Sequence, residues 1–154
     1  MDVLLDKIKG KGEVILIVDD DRVILKMVGE ALDVFGYHVI KAENGLKAID
    51  ILKTVTERNA KGSESVVRKT DESSMILPDL VVLDINMPDM RGGEVLEKIK
   101  EIDPGVKVLL TTGSDINREV KDIMKQGCRG FIQKPFTITE LDAKIQSILR
   151  SPKN

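Results

Sequence analysis

A run of apolar residues at positions 80–83 (LVVL) ends directly on a carboxylate, Asp84. Unbroken, β-branched-rich runs are typical of strands that are buried on both faces of a parallel sheet. Pro88 and the glycine pair at 92–93 are predicted to end the strand and turn the chain before a helix that starts at Glu94. Asp84 is thus predicted at the carboxyl end of a central strand, the edge where ligands bind in open α/β sheets. This stretch alone fits a turn-forming or helix-capping aspartate equally well.

The rest of the chain repeats the same alternation of short apolar runs and helical periodicity. Further strands are predicted at residues 14–18, 38–42, 106–110 and 130–133, and helices at 24–35, 46–55, 116–124 and 141–149. Gly36 and Gly127 are predicted to end two of these helices, and Thr137 or Thr139 to cap the last one. Five strands alternating with five helices predict an α/β fold, a parallel sheet covered on both faces.

Length predicts one domain, since 154 residues are enough for a full core and too few for two comfortable ones. The domain is predicted to span residues 13–151, after an amino-terminal extension or linker at 1–12. Residues 56–77 are largely polar and lack periodicity, and they exceed the usual length of a helix-to-strand connection. They are interpreted as an insertion on the side of the sheet opposite Asp84.

Composition excludes several classes of function. A formal net charge of −2 leaves no basic surplus for binding phosphates, so direct nucleic-acid binding is not expected. The sequence contains no apolar stretch of bilayer-spanning length and no signal peptide, so no membrane insertion and a cytoplasmic location are predicted. The single cysteine, Cys128, excludes an internal disulfide and a thiolate metal site.

Polar residues follow four of the five predicted strands and therefore meet at one edge of the sheet. They are Asp19, Asp20, Asp84, Thr112 and Lys134. Three clustered carboxylates repel one another unless a cation neutralises them, and hard oxygen ligands suit Mg²⁺. Lys134 and the Thr112 hydroxyl are suited to binding an oxyanion, and a carboxylate can act as the nucleophile that forms an aspartyl phosphate. Each residue alone also fits a cap, a turn or a solvated loop position; the combination predicts phosphoryl transfer.

Four motifs make the sequence similar to the response-regulator receiver domains of bacterial two-component signalling: IVDDD at 17–21, LDINMP at 83–88, LTTG at 110–113 and FIQKPF at 131–136. The resemblance extends over residues 14–149 and implies a flavodoxin-like, doubly wound (βα)5 fold with strand order 2-1-3-4-5. Residues 56–77 depart from the family's usual short connection at that place. Residues 126–136 also resemble, more weakly, the receiver domains found at the C-terminus of hybrid sensor kinases.

The resemblance also implies roles for individual residues. Asp84 resembles the phosphoacceptor and a metal ligand. Asp20 resembles the direct Mg²⁺ ligand, Asp19 a ligand acting largely through water, and Asn86 the residue that offers its backbone carbonyl; Mn²⁺ is the alternative metal. Further implied roles are oxyanion stabilisation by Thr112 and Lys134, a switch made of Thr112 and Phe131, and a cis peptide between Lys134 and Pro135.

The implied partners are a histidine kinase or a histidine phosphotransfer protein and a downstream protein target. Signalling is expected through the face formed by helix four, strand five and helix five, and the same face could support a homodimer. Transfer is expected to be self-catalysed, with autodephosphorylation, so no classical enzyme is predicted. The alternative function is a phosphoryl relay or sink cut from a hybrid sensor kinase.

Other classes with an α/β fold fit the residues less well. An FMN-binding domain needs a phosphate-cradling loop after the first strand, where this chain has three carboxylates. A dinucleotide enzyme needs a Gly-x-Gly-x-x-Gly motif there, and none is present. An aspartyl-phosphate phosphatase of haloacid-dehalogenase type, the distant alternative, uses an Asp-x-Asp pair whose second acid position is Asn86 here.

Overall fold

The computed structural model describes residues 12–60, 76–113 and 117–152 of the chain. Strands and helices alternate along it, as the hydrophobic pattern predicts. The strands are β1 (Val14–Val18), β2 (His38–Ala42), β3 (Leu80–Asp84), β4 (Lys107–Thr112) and β5 (Gly130–Gln133), and the helices are α1 (Arg22–Val34), α2 (Gly45–Ala60), α3 (Gly92–Ile102), α4 (Arg118–Lys125) and α5 (Ile138–Arg150). In the described part of the chain, no helix is long and apolar enough to cross a bilayer.

All neighbouring strands are parallel, and they form one sheet in the order β2-β1-β3-β4-β5. β2 lies on one flank of β1, and β3 and the later strands lie on its other flank, so the strand order reverses at β1. Val18 is level with Leu83, and Asp84 with Thr111, so the carboxyl ends of the inner strands lie side by side. The predicted doubly wound fold and its strand order are confirmed, and the reversal creates a crevice at the carboxyl edge.

Successive strand residues point to opposite faces of the sheet and enter two separate apolar cores. One core lies under α2, α3 and α4 and includes Leu16, Val81 and Leu110. The other lies under α1 and α5 and includes Ile17 and Val82. Burial on both sides explains why the strands read as unbroken apolar runs rather than as alternating ones. Each fully buried aliphatic side chain contributes about 2 kcal/mol by leaving water.

Polar side chains cap the helices that begin at the carboxyl edge. Asp21 accepts hydrogen bonds from the N–H groups of the first turn of α1, and Asn117 caps α4 through Val120 N at 2.9 Å. Thr137 caps α5 by accepting from Glu140 N at 3.1 Å, so it is the cap among the two predicted threonines. Gly36 and Gly127 follow α1 and α4 with φ of 97° and 107°, the left-handed conformation predicted for helix ends.

The boundaries of α3 and β4 differ from the sequence prediction. α3 begins at Gly92 rather than Glu94, so the glycine pair forms the first turn instead of a loop. A Cβ on Gly92 would lie 2.7 Å from Ile85 Cβ, and this close approach accounts for glycine there. β4 covers Lys107–Thr112 rather than residues 106–110, so Thr112 belongs to the strand itself.

The helix that precedes β3 is longer than the sequence predicts and includes the first residues of the predicted insertion. α2 continues to Ala60, and Val55 is fully buried near its end, so residues 56–60 are helical. These residues are mostly polar and span little more than one turn, over which periodicity cannot distinguish a helix from a loop. Three parts of the predictions lie outside the described residues: residues 61–75, the predicted extension at 1–12 except for Gly12, and Ile116, the predicted start of α4.

Candidate functional site

Three aspartates meet at the carboxyl edge of the sheet, as the strand ends predict. Asp19 and Asp20 follow β1, and Asp84 is the last residue of β3. Carboxylate oxygens of all three lie within 4.8 Å of one another. Asp19 and Asp84 are each only 3% exposed, whereas Asp20 is exposed to solvent. The group therefore has two buried members and one that opens it to solvent.

Each buried carboxylate has its two oxygens bound in the same way. One oxygen accepts a backbone hydrogen bond from two residues further on: Asp21 N to Asp19 Oδ1 at 2.9 Å, and Asn86 N to Asp84 Oδ1 at 3.0 Å. The other oxygen contacts Lys134, whose Nζ lies 2.8 Å from Asp19 Oδ2 and 3.4 Å from Asp84 Oδ2. Local backbone and one distant cation together orient both groups.

Lys134 reaches the aspartates because its backbone is tied to the neighbouring strand. It follows β5 directly, and its N–H donates to Thr112 O at 2.7 Å. The peptide bond between Lys134 and Pro135 is cis. The ammonium is thus carried by the end of β5 across β4 to the central part of the edge.

The three carboxylates carry more negative charge than Lys134 can neutralise. Burial raises the pKa of Asp84, and the Asp19 carboxylate adds to the rise, although the Asn86 N–H and Lys134 oppose it. Burial alone would lower the pKa of Lys134, but its hydrogen bond to Asp19 and the nearby charge of Asp84 outweigh this and raise it. A single bridging ammonium faces three carboxylates, so negative charge remains uncompensated.

This surplus and the donor set fit a hard divalent cation. All the ligand atoms are carboxylate oxygens, and the exposed Asp20 leaves one side of the group open to solvent. Mg²⁺ favours one or two carboxylates together with several waters, a pattern that a partly open acidic cluster can satisfy. The residues present therefore fit the Mg²⁺ that the sequence predicts.

The three other predicted site residues, Asn86, Thr112 and Phe131, differ in their exposure to solvent. Asn86 is exposed and joins the site through its N–H. Thr112 is fully buried at the end of β4. Phe131 in β5 is level with Leu110, two residues before Thr112, so Thr112 and Phe131 point to the same face of the sheet. Phe131 packs, partly buried, on the core beneath α2, α3 and α4.

Asp89 and Lys107 are among the charged residues whose structural contacts the sequence did not reveal. Asp89 accepts hydrogen bonds from Gly45 N and Leu46 N at the start of α2. Lys107, at the other end of the sheet, is only 6% exposed, and its ammonium donates to backbone carbonyls at the end of α5. Their partners are 40 or more positions away in sequence. No local signal could have revealed these contacts.

The fold is doubly wound and has an acidic site at its switch point, and comparisons with known proteins identify the family to which it belongs. Residues 55–146, more than half of the chain, match the family described as Response regulator receiver domain. The matched segment includes Asp84, Thr112 and Lys134 but begins after Asp19 and Asp20. Asp19 and Asp20 lie at the same site in the structure because they directly follow β1.

Individual relatives extend over most of the chain. Sporulation initiation phosphotransferase F from Bacillus subtilis (strain 168) is 31% identical over 143 residues, which cover 93% of this chain and 98% of that protein. Probable transcriptional regulatory protein TcrX from Mycobacterium tuberculosis is 31% identical over 141 residues, 92% of this chain and 51% of that protein. This chain spans between 31% and 51% of the length of three of the curated relatives.

Solved structures agree. A CheY-like response regulator receiver domain protein from Methanospirillum hungatei JF-1 superimposes with a TM-score of 0.73 and 28% identity, covering 90% of this chain and 94% of that one. The chain therefore belongs to the response-regulator receiver family of two-component signalling. Receiver domains of this family interact with histidine kinases and with downstream proteins.

Proposed function

We propose that Asp84 accepts a phosphoryl group from a phosphohistidine of a histidine kinase or a histidine phosphotransfer protein. An Asp84 carboxylate oxygen attacks phosphorus, the phosphorus–nitrogen bond breaks, and the histidine nitrogen takes up a proton, so the product is an aspartyl phosphate. The observation that supports this most is the position of Asp84. It ends the central strand, is 3% exposed, and is oriented by Asn86 N on one oxygen and Lys134 on the other.

The surrounding residues divide the work of binding the donor. Asp20, Asp19, Asp84 and the Asn86 carbonyl are proposed to hold Mg²⁺. When bound, the metal neutralises the carboxylates and balances negative charge on the phosphoryl oxygens. Lys134 already lies between Asp19 and Asp84, where its ammonium can pair with a phosphoryl oxygen.

Thr112 and Phe131 are proposed to carry the signal away from the site. The Thr112 hydroxyl donates to a phosphoryl oxygen, and the space it leaves is taken by the Phe131 ring on the same face of the sheet. That movement changes the face made by α4, β5 and α5, where we place the contact with a downstream protein or a second copy. One or two charge-assisted hydrogen bonds supply a few kcal/mol at most, so the two states are biased rather than locked.

The remaining parts of the proposal concern context. We place the receiver unit at residues 13–151, in the cytoplasm, with self-catalysed phosphoryl uptake and hydrolysis, no direct nucleic-acid binding and no membrane insertion. A relay or sink role within a hybrid kinase pathway is the second candidate, favoured by the similarity of residues 126–136. Amide shifts on adding beryllofluoride with Mg²⁺ distinguish the two: a switch moves Phe131 and α4, whereas a relay moves only the loops around Asp84.

The proposal is tested by labelling with a small donor. With acetyl phosphate and Mg²⁺, intact mass should show one phosphoryl adduct, and excess EDTA should abolish it. Asp84→Asn should remove the adduct, whereas Asp33→Asn, which changes an exposed carboxylate in α1, should retain it. Labelling of Asp84→Asn at the rate of the unsubstituted protein, or labelling that is unaffected by EDTA, would refute the assignment.

A further inference from the structure

The amino end of α2 is capped from two sides. Asn44 accepts a hydrogen bond from Lys47 N at 2.7 Å, as a local cap does. The N–H groups of Gly45 and Leu46 donate instead to Asp89 Oδ2, at 3.0 and 3.3 Å. The first N–H groups of a helix have no partner within the helix, so a distant carboxylate satisfies two of them here. This contact joins α2 to the β3–α3 loop, residues 85–91.

Val95 of α3 approaches the start of α2 so closely that Gly45 has no space for a side chain. A Cβ on Gly45 would lie 2.6 Å from Val95 Cγ2 and 3.5 Å from Asp89 Oδ2. Val95 belongs to α3 and is fully buried. The start of α2, the β3–α3 loop and α3 therefore meet at this glycine, and the Asp89 contact is part of a close-packed junction.

Asp89 does not belong to the acidic group formed by Asp19, Asp20 and Asp84. Its Oδ2 faces the amino end of α2, where the helix dipole favours a negative charge. It is exposed, so the core does not require it to be there. Its contacts indicate that it fixes the position of the loop rather than binding a cation.

Asp89 lies close in sequence to the residue that orients the phosphoacceptor. Only Met87 and Pro88 separate Asp89 from Asn86, whose N–H donates to Asp84 Oδ1 at 3.0 Å. Met87 is anchored in the core, and the ring of Pro88 restricts its own backbone rotation. A short, stiff segment thus connects the α2 contact with the residue that orients Asp84.

We propose that Asp89 is a positioning residue that ties the β3–α3 loop to α2 and so holds the backbone of Asn86 in place for Mg²⁺ and for Asp84. The inference rests on the proposed function, because it specifies what keeps one part of that site aligned. It also assigns α2 a part in the site through its first two N–H groups.

The test compares the two caps of the same helix. Asp89→Ala releases the loop from α2, whereas Asn44→Ala removes the local cap and leaves the Asp89 contacts in place. Mg²⁺ affinity, measured calorimetrically without a phosphoryl donor, should fall by about tenfold in Asp89→Ala, the lower end of what losing an outer support of a metal ligand costs. Asn44→Ala should remain within about twofold. The initial rate of labelling by acetyl phosphate should follow the same order.

Asp89→Asn provides the conservative variant, because its amide oxygen can still accept from Gly45 and Leu46. It should recover most of the Mg²⁺ affinity, and the amide shift of Asn86 should return toward that of the unsubstituted protein. Equal losses in Asp89→Ala and Asn44→Ala would show that Asp89 merely stabilises α2 and would overturn the inference, as would an unchanged affinity in Asp89→Ala. Failure of the unsubstituted protein to take label would instead refute the proposed function, while the calorimetric comparison would still test Asp89.

Discussion

Lys134 and Lys107 lie at opposite edges of the same sheet, and their surroundings differ in one decisive respect. Lys107 is buried at the amino end of β4, and its ammonium donates to the carbonyls of Ile148, Leu149 and Ser151 at 3.2, 3.2 and 2.6 Å. Lys134 is shared between two buried carboxylates, with a third beside them. The charge of Lys107 is thus balanced by the negative carboxyl end of α5, whereas the charge of Lys134 is too small to neutralise the three carboxylates around it.

Both residues are lysines at strand ends, so residue type does not distinguish them. Their contacts show that Lys107 has a structural role and that Lys134 belongs to the candidate site. Lys107 donates to carbonyls at the carboxyl end of α5, where the helix dipole favours a positive charge, so it closes α5 onto the sheet. At the Lys134 site, three carboxylates share one ammonium, so an excess of negative charge remains in the folded protein. Such an excess lowers stability and is retained where the protein needs to bind a cation or an oxyanion.

The largest effect is expected at the structural lysine. Lys107→Met keeps much of the aliphatic volume but leaves the three carbonyls without this donor, so the free energy of unfolding should fall by about 3 kcal/mol in urea titrations. Lys121→Met, at an exposed position of α4, should change it by less than about 0.5 kcal/mol. Labelling of Asp84 in folded Lys107→Met should be unchanged. A loss no larger than that of the control would remove the structural half of the comparison.

A smaller effect of opposite sign is expected at the functional edge. Asp84→Asn removes a buried negative charge whose pKa is raised by burial, so the metal-free variant should gain on the order of 1 kcal/mol of unfolding free energy at neutral pH. Mg²⁺ should stabilise the unsubstituted protein and have little effect on the variant, because binding to the folded state alone raises stability. A metal-free variant less stable than the unsubstituted protein would show that Lys134 fully compensates Asp84.

The smallest effect is the pH dependence of that gain. Because the pKa of Asp84 is higher in the folded than in the unfolded chain, the unfolded chain loses this proton first as pH rises. The charge on Asp84 therefore costs stability only above the ordinary aspartate pKa, and the cost is complete above the raised value. The gain from Asp84→Asn should shrink as the pH is lowered toward the ordinary aspartate range and vanish below it. A gain that persists at low pH would have a cause other than charge.

The carboxyl edge was predictable because its signals are local. Asp19, Asp84 and Lys134 each stand at the carboxyl end of a strand, and parallel strands bring such positions together whatever the details of packing. The receiver fold and family, predicted from the same residues, are confirmed. The predicted start of α3 was wrong because a glycine pair is typical of a turn, whereas Gly92 is glycine because its close approach to Ile85 leaves no space for a Cβ.

The sequence by itself thus determined the alternation of elements, the burial of the strands and the residues that meet at the acidic site, because periodicity and strand ends depend on neighbouring residues. Tertiary structure alone decided that Asp89 caps α2, that Lys107 closes α5, and that the charge of Lys134 is shared between two aspartates. Each of these contacts joins side chains to groups far apart in the chain. Which distant group a side chain contacts depends on how close the folded chain brings the two together, and no local sequence pattern encodes that distance.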